Sequence, residues 1–227
     1  MSVCVLIPAY NEAGRIRSTI EAARSQRIVD TIVVVDDGST DETADIARRA
    51  GADVVVRQSN QGKGAAMEAA FRAAPADAQI LVLLDADLGA SAAECSKLVR
   101  PLLAGDADVA IGILPPDPDF AASGKVGGFG TVTRLANRAI ERRTGQTFRQ
   151  PLSGQRAVRR EVLAALGGRF GKGYGAEVAM TIGTLKAGFR ILEVETHFRH
   201  RVTGSDMSGW LHRFRQLVDV ARAAART

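Results

Sequence analysis

Two cysteines in 227 residues, Cys4 and Cys95, are too few for a disulfide framework. Cys4 sits in an apolar strand pattern and Cys95 in a helical one, so both read as buried thiols in a reducing compartment. Long apolar runs are missing too: none approaches the roughly 18 residues of a membrane span. The opening MSVCVLIPAYNEAGR has no basic leader and meets Pro8 and Glu12 early, so it does not read as a secretory signal and the expectation is a cytoplasmic protein. Acids are nearly absent between Arg134 and Arg160, where eight arginines (134, 138, 142, 143, 149, 156, 159 and 160) stand with one acid, Glu141. That block suits phosphate or an anionic surface. Its single aromatic, Phe148, argues against stacking on single-stranded bases.

What the chain does have is a core: 46% of its residues are hydrophobic, which excludes disorder. The first half alternates. Strands are expected over 3–9, 31–37, 53–57, 79–85 and 108–114, with helices over 12–25, 41–51, 62–74 and 91–104. The strands are continuously apolar, as when helices cover both faces, and the alternation implies a mainly parallel sheet. The second half opens on a Pro- and Gly-rich loop, 115–130. It continues with a helix over 131–144, a short strand turning into a helix over 153–166, a helix over 176–188, a strand over 189–196 and a terminal helix over 206–225. With no linker and no repeat, one domain is expected.

In such sheets ligands bind beyond the carboxyl ends of the strands. PAYNE (8–12), DDGST (36–40), NQGKG (60–64) and DADLG (85–89) each follow a strand, so four polar turns converge on one edge. That edge is acidic at Asp36, Asp37, Asp85 and Asp87, although the chain carries a net charge of +5. Like charges about 5 Å apart repel by roughly 3 kcal/mol at an effective dielectric near 20. Mg²⁺ or Mn²⁺ resolves the conflict, because such ions take few carboxylates and complete their shell with water and substrate phosphates. Asp85 and Asp87 face one cleft if the backbone between them stays extended. They then form a metal clip for a diphosphate leaving group. Lys63 and the 62–64 amides are candidate nucleotide contacts, although the full phosphate-loop spacing is absent. GGFG (127–130) reads as a hinge.

VLIPAYNE, IVVVDDGSTDETADIA, NQGKGAAMEAAFRAA and ILVLLDADL together resemble the successive motifs of family 2 glycosyltransferases of the GT-A fold. The resemblance implies an α/β, Rossmann-like sheet flanked by helices, with residues 1–113 binding a nucleotide sugar and residues 114–227 forming the acceptor side. It implies Pro8, Ala9, Tyr10 and Glu12 near the nucleotide, Asp37 on its base or ribose, and Asp85 and Ala86 beside the donor. Asp87, the second acid of the DXD motif, goes to the metal. The second half resembles polyprenyl- or dolichyl-phosphate mannose synthases through SGQRAVRREVL, GYGAEVAMTIGTLKAGFRILEVETHF and FRHRVTGSD, which carries over Arg201 and Gly204 as phosphate contacts. Two positions depart from that branch: Gly89 stands where Gln is often offered to the metal, and Asp206 where a basic residue is expected. GYGAEV followed by His200-Arg201 also resembles glucosyl-3-phosphoglycerate synthases, in which the histidine completes the metal site; His200 then replaces the missing glutamine.

The expected activity is metal-dependent transfer of a hexose from UDP or GDP to a phosphate-containing acceptor, polyprenyl phosphate among the choices. The catalytic set is Asp87, Glu177 and Arg201, the acceptor set Arg156, Arg201 and Gly204, and the metal set Asp85, Asp87 and His200. A hydroxyl acceptor needs a base, for which GAEV offers Glu177. The alternatives are transfer to a soluble hydroxyl acceptor such as a phosphoglycerate, and a nucleotide-sugar-binding protein without turnover, against which the intact Asp37, Asp85 and Asp87 argue. Nucleic acid is not an expected partner, given the acidic ligand edge. In the terminal helix Trp210, Leu211, Phe214, Leu217, Val218 and Ala221 form an apolar stripe flanked by arginines. It reads as packing on the domain, as a homodimer contact, or as a peripheral contact with the inner face of a membrane.

Overall fold

The computed structural model describes residues 1–114, 129–170 and 175–199. His200, Arg201, Gly204, most of the 115–130 loop and the terminal helix expected over 206–225 lie outside the described residues. In chain order the elements are β1 (Ser2–Ala9), α1 (Ile16–Arg24), β2 (Thr31–Asp36), α2 (Thr43–Arg49), β3 (Val54–Arg57), α3 (Lys63–Ala73), β4 (Ala78–Leu83), a 3-10 helix (Gly89–Glu94), α4 (Cys95–Ala104) and β5 (Val109–Ile113). There follow α5 (Phe129–Thr144), β6 (Arg156–Arg159), α6 (Arg160–Ala165), α7 (Gly175–Lys186) and β7 (Ile191–Glu195).

The strands read as unbroken apolar runs because helices cover both faces of the sheet. Along β1, Cys4 and Leu6 enter one core with α3, α5, α6 and α7. Val3, Val5 and Ile7 enter the other with α1 and α4. Successive side chains point to opposite faces, and each fully buried aliphatic contributes about 1.5–3 kcal/mol relative to exposure. Cys4 and Cys95 are buried free thiols, and burial pushes both up to about 12.

The seven strands lie in the order β3-β2-β1-β4-β6-β5-β7. β1 to β4 are parallel, as are β5 and β7, but β6 runs antiparallel to both its neighbours. The mainly parallel expectation therefore holds with one reversed strand. Ala9 is in register with Asp36, and Asp36 with Arg57, so the loops after β1, β2 and β3 leave from one edge. The fourth strand stops earlier than expected, at Leu83, and Ala86 and Asp87 form a turn. The extended backbone expected between the two acids is not present.

The arginine block divides. Arg160 donates from Nε to Ala78 O (2.6 Å) and lies 5.3 Å from the Phe71 ring centroid, while Arg159 faces Asp108 at 3.6 Å. Arg134, Arg138 and Arg142 are exposed along one side of α5. Part of the basic charge thus braces the sheet instead of facing a ligand. Among the described residues no helix is long and apolar enough to cross a membrane.

Candidate active site

The loops at the carboxyl edge are stitched to one another by their own polar side chains. Asp37 Oδ1 accepts from Gln58 Nε2 (2.7 Å) and Gln61 N (2.9 Å), and Oδ2 from Gly62 N (2.7 Å). One buried carboxylate thereby fixes the loop that leads into α3. Gly38 has φ +81°, and a Cβ there would lie 2.7 Å from Asn60 N, so only glycine lets the second and third loops close. Asp36 is fully buried; its Oδ1 accepts from Ser39 N (3.0 Å). Its Oδ2 lies 3.3 Å from Arg57 Nε, close enough for charge attraction, without a well-directed hydrogen bond.

The first loop is tied to the second in the same way. Asn11, at φ +55°, donates its N–H to Ser39 Oγ (2.9 Å) and accepts from Thr40 N at Oδ1 (2.9 Å). Glu12 N donates to Thr43 Oγ1 (2.8 Å), and Thr43 N to Asp41 Oδ1 (3.0 Å). Partial burial works against ionising Asp41, but the bonds from Thr43 and Ala13 outweigh it and hold the carboxyl below its ordinary value. Pro8 is half-buried and Ala9 buried at the end of β1, which leaves Tyr10, 49% exposed, as the large side chain presented at this edge.

The acidic pair is divided between two settings. Asp85 Oδ1 is 2.5 Å from Lys63 Nζ, and its Oδ2 accepts from Gln155 Nε2 at 2.7 Å. Gln155 Oε1 also accepts from Asp85 N (3.1 Å), so one glutamine holds both the side chain and the backbone of Asp85. Gly154 permits this closeness, since a Cβ there would stand 3.0 Å from Lys63 Nζ. Asp87 is half-buried two residues further on, beyond Ala86, which is 4% exposed. Among the described residues no three histidine, cysteine or acidic side chains cluster as a complete metal site. What they offer is the half-buried Asp87 and, two residues before it, Asp85, which Lys63 and Gln155 hold. That sparse oxygen set fits a hard cation that keeps waters and takes phosphate oxygens.

Glu177 lies in the first turn of α7, half-buried as a residue, with Oε2 shut off from solvent and without a hydrogen-bond partner. Burial raises its pKa above the ordinary carboxyl value; Lys63 and Arg156 oppose the rise and Asp85 adds to it. These four residues are thus electrostatically one group.

Arg156 departs from its expected acceptor role. It is 1% exposed and donates from Nε to Ser153 O (2.9 Å), from Nη2 to Pro151 O (2.9 Å) and from Nη1 to Thr181 Oγ1 (3.0 Å). Burial lowers its pKa to about 10, opposed by Glu177 and Glu193. Thr181 Oγ1 in turn donates to Glu177 O (2.8 Å). The guanidinium braces the turn that carries Glu177; buried and fully engaged, it is not presented to an incoming phosphate.

Of the residues read from sequence, the fold gathers Pro8 and Ala9 at the end of β1, Lys63 at the start of α3, and Tyr10, Glu12, Asp37, Asp85, Ala86 and Asp87 on the loops at one sheet edge, with Glu177 in electrostatic reach of Lys63 and Asp85. Sequence reading missed Asn11, Asp41, Thr43, Gln58 and Gln155, whose work is to hold those loops. Gln155 had a signal in SGQR, where a glycine precedes a polar residue just before a strand.

The profile of Glycosyl transferase family 2 matches residues 4–167. Glycosyltransferase AglJ of Haloferax volcanii is 36% identical over 209 residues, which cover 90% of this chain and 65% of that protein. Glucosyl-3-phosphoglycerate synthase of Mycobacterium tuberculosis is 33% identical over 201 residues, covering 81% of this chain and 60% of that protein. The chain therefore spans less than two thirds of the length of these relatives. The solved structure of the Mycobacterium tuberculosis synthase with Mg²⁺ and uridine diphosphate is similar at a TM-score of 0.78 and 28% identity, covering 99% of this chain and 79% of that one. The same enzyme with Mn²⁺, UDP-glucose and phosphoglyceric acid gives 0.75 and 29%, covering 99% and 80%. The fold is the expected GT-A arrangement. Since the matched residues run from β1 through α6 and include all four polar loops, the chain belongs to glycosyl transferase family 2.

Proposed function

We propose that the protein transfers a hexose from UDP to a small acceptor that carries a phosphate, of the phosphoglycerate kind. The observation that carries this reading is the Asp85–Lys63 pair at the carboxyl edge, two residues before Asp87 and in electrostatic reach of the buried Glu177 carboxyl. The similar structure of the Mycobacterium tuberculosis synthase in complex with Mn²⁺, UDP-glucose and phosphoglyceric acid supports the donor and acceptor classes. A soluble acceptor is preferred to polyprenyl phosphate because similar solved structures at 28–29% identity are complexes with phosphoglyceric acid.

Asp87 would hold Mg²⁺ or Mn²⁺, with Asp85 in support, and Tyr10 would lie against the base. The bound cation supplies charge neutralisation for the departing diphosphate. Lys63 adds a second positive charge on the same side, fixed in place before the reaction begins. Asp85 and Gln155 orient that ammonium. Glu177, whose carboxyl is raised by burial, is the group suited to hold or take a proton at its Oε2 when the acceptor presents a hydroxyl.

The test is turnover of a panel of UDP- and GDP-hexoses with Mn²⁺, against 3-phosphoglycerate in one arm and polyprenyl phosphate in the other. The expected result is stabilisation by UDP that is greater with Mn²⁺ than without it, reaching about 2.7 kcal/mol at one hundred times Kd, with product only from the phosphoglycerate arm. Product only from the lipid arm reassigns the acceptor. Stabilisation by neither nucleotide overturns the activity itself.

A further inference from the structure

The turn that carries Asp87 has an anchor outside the acidic motif. Thr19, in the second turn of α1, is fully buried. Its Oγ1 donates to Ala86 O at 2.8 Å and accepts from Gly89 N at 2.8 Å. A single hydroxyl therefore bridges the residue before Asp87 and the residue two after it. A hydroxyl has one proton and two lone pairs, so it can do both at once. Arg15, one helical turn earlier, donates from Nη1 to Asp87 O at 3.3 Å. Three backbone groups of the 86–89 turn, Ala86 O, Asp87 O and Gly89 N, are thus held by Thr19 of α1 and by Arg15 at its N-terminal cap. Gly89, at φ +54°, completes the turn and would bring a Cβ to 3.5 Å from Ser18 Oγ.

The direction in which Asp87 points depends on the backbone on either side of it. In an open loop that backbone would sample several directions; here both ends are fixed to a helix that is itself packed through Ile16, Ile20 and Ala23. We infer that Thr19 is a positioning residue for the metal: it sets the Asp87 carboxylate where a divalent cation and a diphosphate meet it. The inference rests on the glycosyltransferase reading above, and it concerns affinity for the ion, not the chemistry of transfer. Partners that orient a ligating group typically change metal affinity by about 10- to 100-fold when removed.

The experiment is Mn²⁺ binding in the presence of UDP, followed by electron paramagnetic resonance of the free ion. UDP binding without metal is measured in parallel by calorimetry, and melting in excess EDTA checks the fold. Thr19→Val keeps the shape and removes the hydroxyl; Thr19→Ser keeps the hydroxyl. The expected result is an Mn²⁺ Kd raised about 10- to 100-fold in Thr19→Val and within about threefold of wild type in Thr19→Ser, with metal-free UDP affinity unchanged in both. Equal Mn²⁺ affinity in wild type and Thr19→Val overturns the assignment. So does an equal loss of Mn²⁺ and metal-free UDP affinity, which marks a general packing role. If Thr19→Val does not fold, the exposed Arg15→Ala decides: an Mn²⁺ Kd raised severalfold supports the anchored turn, and an unchanged one overturns it. A wild-type protein that binds no Mn²⁺ with UDP overturns the functional reading itself, an outcome distinct from any of these.

Discussion

Lys63 Nζ lies 2.5 Å from Asp85 Oδ1, and the space it occupies exists because residue 154 has no side chain. A Cβ on Gly154 would stand 3.0 Å from that nitrogen and 3.7 Å from Asp85 Oδ2. Gly154→Ala should therefore shift the ammonium and lower kcat about tenfold, equivalent to about 1.4 kcal/mol in the barrier. Lys63→Met should lower it further, by about 10²- to 10³-fold. Neither should unfold the protein, because the Lys63 side chain is 50% exposed and a pair so open to water contributes about 1 kcal/mol or less. Steady-state kinetics beside thermal melting separates the two effects. An unchanged kcat in both variants removes Lys63 from the mechanism.

Glu177 makes a prediction about pH. Its carboxyl is raised by burial, so the neutral form is favoured in the folded state. For a raised carboxyl, stability is fully present below the unfolded value, near 4.3, and declines as pH rises toward the folded one. Glu177→Gln, neutral at every pH, should then melt higher than wild type at pH 8. The difference should shrink on acidification and vanish below about pH 4. Transfer to a hydroxyl acceptor should fall by about 10²-fold or more in the same variant. Parallel melting curves across pH for the two proteins would show that the buried carboxyl is not the source of the difference.

The buried guanidinium of Arg156 predicts a loss of stability, not of acceptor affinity. Arg156→Ala leaves Ser153 O, Pro151 O and Thr181 Oγ1 without their donor, and removes a positive charge that acts on Glu177. The cost should be about 3–5 kcal/mol, the scale for breaking a buried charged contact. Denaturant unfolding checks it. Where the variant folds, its acceptor KM should stay within about threefold of wild type while kcat falls, because the turn carrying Glu177 loses its brace. A raised KM at unchanged stability would return Arg156 to the acceptor.

How far this was legible in the sequence depends on which kind of signal each residue gave. The apolar runs VCVLIPA, TIVVVDD and QILVLLD fixed the strands because a strand covered on both faces has no polar side to blur it. The loops were legible as well, since Asp, Asn and Gly cluster where turns demand them. The reversed β6 was not, because RAVR carries no mark of direction; that comes from how Arg156–Arg159 pair with β4 and β5. Arg156 was misplaced for a similar reason. An arginine in a basic block looks like its neighbours until the carbonyls of Pro151 and Ser153 are seen around it. Thr19 gave no signal at all: a threonine in an amphipathic helix is an ordinary residue, and only the packing of α1 on the 86–89 turn makes its hydroxyl a bridge.

The segment that leads toward His200 and Arg201 is tied back to the 3-10 helix. His197 N donates to Glu94 Oε2 at 2.8 Å, and Arg199 N donates to Ser91 Oγ at 3.0 Å. Both acceptors belong to the 3-10 helix that follows the acidic pair, so the chain after β7 is fastened directly beside the 86–89 turn. Lys97 stands 2.7 Å from the same Glu94 oxygen and keeps that carboxylate charged. Partial burial opposes ionisation of Glu94, but the bonds from Lys97 and His197 outweigh it and hold its pKa below the ordinary value. A lowered carboxyl contributes stability above its unfolded value, near 4.3, and loses it as pH falls through the folded one. The fastening should therefore hold at neutral pH and release in acid. If residues beyond 199 contribute to the site, loosening their anchor should weaken Mn²⁺ binding in the presence of UDP without changing Asp85 or Asp87. Ser91→Ala combined with Glu94→Gln is expected to raise the Mn²⁺ Kd about tenfold at pH 7.5, with melting in EDTA lowered by only a few degrees. If His200 is a metal ligand, His200→Ala should raise it by a similar factor, and the triple variant should show little further loss, since both changes would then act through one group. Fully additive losses would mean that the anchor and His200 act separately, and an unchanged Kd in the double variant would mean that the segment reaches the site without this fastening.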